Sequence, residues 1–259
     1  MFYPSLLLVT GLAFQQPQTV SSTQPVSNTT QTIANTPAAP APIPVSPELR
    51  CDIMMARKMY RDAVDCFKAG ADKSAVWANK TGIAYHQLAD LDNARKYYER
   101  AVKLDPKYAE AINNVGTIYY AKKSYRRAIS QYHKALTLRP DSASFMANLG
   151  TAYFARKQYT LASMEYVEAL RIDPEIFEHR NNQGTTIQDQ SVEERAKYHY
   201  YVAKTYAEAG VRDRALQYIR KSLEEGFKDR QKYLKEPEFA LLRDDPEFKE
   251  LMATEQKVL

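Results

Sequence analysis

The chain is predicted to be an all-α solenoid, a stack of antiparallel helix pairs, and a recurring spacing carries that expectation. Pro106, Pro140 and Pro174 stand 34 residues apart, and the same step relates Gly82, Gly116 and Gly150. Tyr85, Tyr119 and Tyr153 repeat it, as do Tyr98, Tyr132 and Tyr166. Two alanine series, Ala94–Ala128–Ala162 and Ala101–Ala135–Ala169, fall on it as well. A fixed period of this length marks one unit that buries its apolar face only by stacking on its neighbours.

Each offset has a physical task. A glycine without Cβ lets the first helix of a pair approach the second closely, and the alanines at 94, 128 and 162 supply the small residues opposite. The tyrosines fill the space between helices with large rings. Proline cannot continue a helix and biases its predecessor away from helical angles, so it closes each pair. With these positions in place, the sequence resembles the tetratricopeptide repeat family. That resemblance implies a right-handed superhelix with a concave groove built mainly from the first helices.

Counting to each proline gives regular repeats at 75–106, 109–140 and 143–174. A degenerate first pair occupies 47–74, where Tyr60, Ala63 and Phe67 match second-helix offsets across a turn near Lys58–Met59. Residues 175–195 read as an insertion rich in Asn, Gln and Thr, ending in a capping box at Ser191–Glu194. Ala203, Tyr206, Ala215 and Leu223 restore the pattern over 196–228. Residues 229–259 then read as capping helices, with Phe239, Leu241, Leu242, Phe248, Leu251 and Met252 as their apolar positions.

The first 47 residues contain no charged residue and no histidine. Residues 1–14 hold a short apolar run that suits a secretory signal and is too short to span a bilayer, although no Lys or Arg precedes it. Residues 15–46 are Ser, Thr, Gln and Pro-rich and read as a disordered linker. Export to a periplasm or cell envelope is the resulting expectation, with a cytoplasmic location as the alternative. It matches the resemblance to exported bacterial members of the family. Cys51 and Cys66 fall on the two helices of the degenerate pair. They either bridge in an oxidising compartment or serve as small apolar residues in the interface, the simpler reading.

Nothing in the sequence points to catalysis. His86, His133, His179 and His199 are never paired at metal spacing, and no phosphate loop, nucleophile elbow or zinc-protease motif is present. No cofactor is expected. The net charge of +5 raises nucleic acid as a partner. Against it, Arg95, Lys96, Arg100, Lys103, Arg126, Arg127 and Lys134 lie mostly on outward-facing second helices, interleaved with Asp92, Glu99 and Asp105.

The family resemblance implies a groove surface at fixed positions of each first helix. In the first repeat these include Asn79, Lys80, Ile83 and His86; in the second, Asn113, Asn114, Thr117 and Tyr120; in the third, Asn148, Thr151 and Phe154. Two patterns stand out. His86, Tyr120 and Phe154 recur at the repeat step as a ladder of rings, and Asn79, Asn113, Asn114 and Asn148 form a row of amides. An amide offers a donor and an acceptor to an extended backbone, and rings beside it offer side-chain pockets. The family's two-carboxylate clamp would need its basic and amide residues at Asn79, Ile83, Asn114, Ser144 and Asn148, of which only Asn114 matches. The expected function is a protein-interaction scaffold that takes an extended peptide in its groove, with an indirect link to an envelope or secretion assembly. The alternative is a cytosolic regulatory module attached to nucleic-acid machinery.

Overall fold

The computed structural model describes residues 46–179 and 191–253, which are helical without a strand. Both segments belong to one compact unit, and residues 1–45 lie outside the described residues. The signal and all but the last linker residue therefore also lie outside them. The exception, Ser46, is the N-cap of the first helix and accepts from the Leu49 amide at 3.2 Å.

The first pair is α1 (Pro47–Ala56) and α2 (Tyr60–Lys68). The regular pairs are α3 (Ala75–Gln87) with α4 (Leu91–Leu104), α5 (Ala109–Ala121) with α6 (Tyr125–Leu138), and α7 (Ala143–Ala155) with α8 (Tyr159–Ile172). Local chemistry sets their ends. Ser74 caps α3 by accepting from Trp77 N, and Asp90 caps α4 by accepting from Asn93 N at 3.1 Å. Before the three spaced prolines, Asp105, Arg139 and Asp173 sit at ψ of 97, 80 and 98°, outside the helical region, and end α4, α6 and α8. Inside each pair the chain reverses through a left-handed residue: Ala89, Lys123 and Lys157 have φ of 60, 57 and 62°. A side chain there costs roughly 1–2 kcal/mol, and the last pair relieves it with Gly210 at φ 72°.

Close contact inside each pair explains the spaced glycines. A Cβ on Gly82 would stand 2.5 Å from the Tyr98 ring, on Gly116 2.7 Å from Tyr132, and on Gly150 2.6 Å from Tyr166. The three tyrosines are fully buried, and Ala94, Ala128 and Ala162 are equally so. Glycine and tyrosine, sixteen residues apart in each repeat, are thus one steric unit. The hydroxyls are placed too: Tyr132 and Tyr166 donate to Thr117 and Thr151 at 3.4 and 3.3 Å.

Three details differ from the sequence expectation. A short helix, α9 (Ile176–His179), begins the predicted insertion and buries Ile176 and Phe177 in the core, so that stretch packs rather than loops. The Ser191–Glu194 capping box is formed in full and starts helix α10 (Val192–Glu208), as its sequence pattern implies, so that the helix begins inside the predicted insertion and ahead of the repeat boundary at 196; it pairs with α11 (Arg212–Glu224). In the cap, α12 (Arg230–Lys235), a 3-10 turn at Pro237–Leu242 and α13 (Pro246–Ala253) bury Tyr233, Phe239, Leu242 and Phe248 against Tyr200 and its neighbours. Leu241, expected among the packing residues, is 86% exposed because the 3-10 turn points it outward.

Cys51 and Cys66 are joined in a disulfide across α1 and α2, with Cα atoms 5.6 Å apart. This corrects the simpler reading of both as unlinked packing residues.

Candidate functional site

The ring ladder lines a cavity. His86 from α3, Thr117, Tyr120 and Ala121 from α5, and Phe154 and Ala155 from α7 face a space of about 690 Å³. Its mouth is formed by the turns and second helices, through Ala89, Leu91, Lys123, Tyr125, Lys157 and Tyr159. The N-terminal turn of α10 supplies the far wall with Ser191, Glu193, Glu194 and Lys197. The rings brace one another, tilted at Tyr120 and edge to face around Phe154. Tyr120 meets Tyr125 at 5.3 Å, and Phe154 meets Tyr159, Tyr198 and Tyr201 between 5.4 and 5.9 Å. Lys197 lies over the Tyr159 ring at 4.1 Å. Burial holds the His86 imidazole below its ordinary pKa, so a neutral ring is favoured beside the cavity.

The amide row has another task. Asn148 donates to Asn113 at 3.1 Å, Asn113 to Asn114 at 3.4 Å, Asn114 to Asn79 at 2.9 Å, and Asn79 to the Tyr108 hydroxyl at 3.4 Å. Asn79, Asn113 and Asn148 are buried. A continuous chain of amides therefore ties three repeats together. Asn79, Asn113 and Asn148, expected to face ligand backbone, are engaged in these bonds within the chain, while half-buried Asn114 keeps access to solvent.

Other expected groove residues are likewise engaged within the fold. Lys80 bridges Glu48 at 2.7 Å and Asp52 at 2.8 Å, which fastens α1 to α3. Ile83 packs with Ala94, Tyr98, Val115 and Ile118. Thr151 is fully buried and donates to Ala147 O at 2.8 Å, while accepting from Tyr166. Thr117 makes the equivalent bonds to Asn113 O and Tyr132 and also touches the cavity. Of the expected residues, the structure gathers His86, Thr117, Tyr120 and Phe154 around one space and turns Asn79, Lys80, Ile83, Asn113, Asn148 and Thr151 to holding the repeats together.

Sequence reasoning missed the mouth of the cavity. Lys123 and Lys157 stand one repeat apart, as do Tyr125 and Tyr159. Comparing the turns at the same step as the helices would have found them. Arg126 and Arg127 are exposed, as the outward reading of the second helices expects. With Lys123, Ser124, Tyr125 and Arg156 they line a second, shallow cavity of about 460 Å³.

Among the described residues no cluster of His, Cys, Asp and Glu could hold a metal ion, and no helix is long and apolar enough to cross a membrane.

Stacked helix pairs closed by proline and bordered by a groove define a helical-repeat solenoid. The chain contains tetratricopeptide repeats: the family profile described as Tetratricopeptide repeat matches residues 80–108 and 143–176, and one described as TPR repeat matches 116–156. No curated protein matches the sequence. Similar solved structures include MamA from Desulfovibrio magneticus RS-1, at 20% identity and a TM-score of 0.48, covering 69% of this chain and 92% of that one. YrrB, described as a TPR protein with an unusual peptide-binding site, shares 14% identity at a TM-score of 0.45, covering 69% and 84%. The first TPR of Spaghetti (RPAP3), bound to the HSP90 peptide SRMEEVD, shares 24% identity at a TM-score of 0.40, covering 42% and 87%.

Proposed function

We propose that this protein is a non-catalytic scaffold that binds an extended segment of a partner protein in the ring-lined cavity of its groove. One observation carries this reading: rings from three successive repeats, His86, Tyr120 and Phe154, converge on a single space of about 690 Å³. A preformed concavity with aromatic walls and a few polar groups suits side-chain anchoring. The close packing of Tyr120 and Phe154 on neighbouring rings keeps that shape ready before binding. The proposal includes export to a periplasm or cell envelope and a place in an envelope or secretion assembly. The apolar run within residues 1–14 supports this, and so does the Cys51–Cys66 disulfide, since such bonds persist in oxidising compartments.

Site-specific cross-linking tests the groove. A photoreactive phenylalanine analogue at Ala121, an exposed cavity position, should capture a partner protein in the native host. The same group at Lys103, on exposed α4 surface, should not. Equal capture from Lys103, or none from Ala121, would move the binding surface away from this cavity. Fractionation tests export: protein found wholly in cytosol with its first residues intact would refute it.

A further inference from the structure

The second and third repeats carry a positive charge that the fold does not answer. Between Ala111 and Met164 there are eight Lys and Arg residues and a single acid, Asp141. The first repeat is different: Arg100 pairs with Asp72 at 2.5 Å, and Arg95 with Glu99 at 3.8 Å. Lys122 and Arg139 also find acids, Asp92 and Glu110. Six cations remain; of these Lys134 lines neither of the two cavities. Lys123, Arg126, Arg127, Arg156 and Lys157 belong to no ion pair among the described residues, although Arg127 also lies over the Tyr119 ring at 5.8 Å.

These cations are gathered, not scattered. Lys123, Arg126, Arg127 and Arg156 line the shallow cavity of about 460 Å³, and Lys157 stands at the mouth of the ring-lined one. Lys123 and Tyr125 line both, so the two cavities adjoin. Like charges held together repel one another and do nothing for folding. Their concentration beside an aromatic recess calls for a negatively charged occupant.

The geometry points to an acidic protein segment as the bound partner: its carboxylates lie over Lys123, Arg126, Arg127 and Arg156, and an adjacent apolar or aromatic side chain enters the ring-lined cavity. This inference rests on the groove reading proposed above. Guanidinium groups bind carboxylates through paired, charge-assisted hydrogen bonds, and three of the four cations are arginines. Nucleic acid is disfavoured by two features. Tyr120 and Phe154 on the cavity floor are buried to 7 and 4% exposure, so they offer no open face for stacked bases. Glu193 and Glu194 form the opposite wall, where a continuing phosphate backbone would be repelled. A peptide escapes both difficulties, because its charge need extend only over the cations.

Fluorescence anisotropy on the full chain tests this with three labelled probes. They are a glutamate-rich peptide with a central phenylalanine, the same peptide with glutamine for glutamate, and oligothymidine. The acidic peptide should bind at least about 10-fold more tightly than its glutamine counterpart, as complementary charge requires. Combining Lys123→Gln, Arg126→Gln and Arg127→Gln should weaken it by about 10-fold with circular dichroism unchanged. A charge-matched control, Lys96→Gln with Lys103→Gln and Lys107→Gln, should stay within about twofold. Equal binding of the glutamine peptide, with the Ala121 cross-link still forming, would overturn the acidic preference and leave the groove reading standing. Tighter binding of oligothymidine, lost in the triple variant, would assign the patch to nucleic acid. If no peptide binds, the inference fails, and the cross-link alone then decides whether the groove reading survives.

Discussion

Asn114 donates a hydrogen bond to Asn79 at 2.9 Å across the boundary between the first two regular repeats. Asn148 does the same to Asn113 at 3.1 Å, one boundary further on. Both links run between residues 35 apart, one more than the repeat step, because stacked first helices are offset by the superhelix. Replacing Asn79 with alanine removes the acceptor for Asn114 and the donor to Tyr108 together. Losing buried partners in this way should cost about 1–3 kcal/mol. Urea unfolding of the Asn79→Ala variant should show a lower midpoint with an unchanged slope. An unchanged midpoint would mean that the amide chain contributes nothing to stacking.

The glycines give a sharper steric test. At Gly150 a Cβ would stand 2.6 Å from the Tyr166 ring and 3.1 Å from the carbonyl oxygen of Ala162. Helix propensity favours alanine over glycine by about 1 kcal/mol. The buried ring has no open space to enter, so overpacking should dominate, with a net loss of roughly 1–3 kcal/mol for Gly150→Ala. Thermal unfolding measures it. A variant as stable as the wild type would show that Tyr166 can move aside.

How legible was this in the chain? The Gly82–Tyr98 contact lies within one repeat, so its period alone disclosed it, and the fold followed. Contacts between repeats were less readable. Register placed Asn79 and Asn113 on the inner helices, but not the superhelical offset that makes them satisfy Asn114 and Asn148. Lys80 looked available for a ligand because its acids, Glu48 and Asp52, belong to the irregular first pair. The disulfide depended on a Cα separation that sequence does not supply. Lys123, Tyr125, Lys157 and Tyr159 did lie on the period, yet in turns and second helices that a first-helix view of the groove leaves out.

The disulfide should stabilise the edge of the solenoid. It closes a loop of 15 residues, for which chain entropy gives about 3 kcal/mol at most. Alkylation under denaturing, non-reducing conditions should modify neither cysteine. Replacing both by serine should lower the melting temperature and speed amide exchange first in α1 and α2, which the link joins. Quantitative alkylation of both thiols, in protein purified without reductant, would show that the bond does not form.

Acidification should weaken the fold before the carboxylates titrate. His86 lines the cavity, and burial alone holds its pKa below the ordinary imidazole value. His199 is shifted the same way, chiefly by burial and against the pull of Glu225, 2.6 Å away. A buried neutral imidazole takes up its proton at lower pH in the folded chain than in the unfolded one. The unfolded state therefore binds more protons below the ordinary imidazole range, and stability falls with pH there. Glu48, Asp92, Glu236 and Asp245 are held low and act in the same sense, but nearer their own range. Glu165, raised by burial, opposes them. The melting temperature should thus decline between about pH 7 and about pH 5.5, the window that belongs to histidine. His86→Gln should flatten part of that decline while leaving the steeper loss at lower pH in place. If the variant and the wild type share one slope across that window, His86 is not buried as a neutral ring, and the cavity wall it forms is more open than this structure places it.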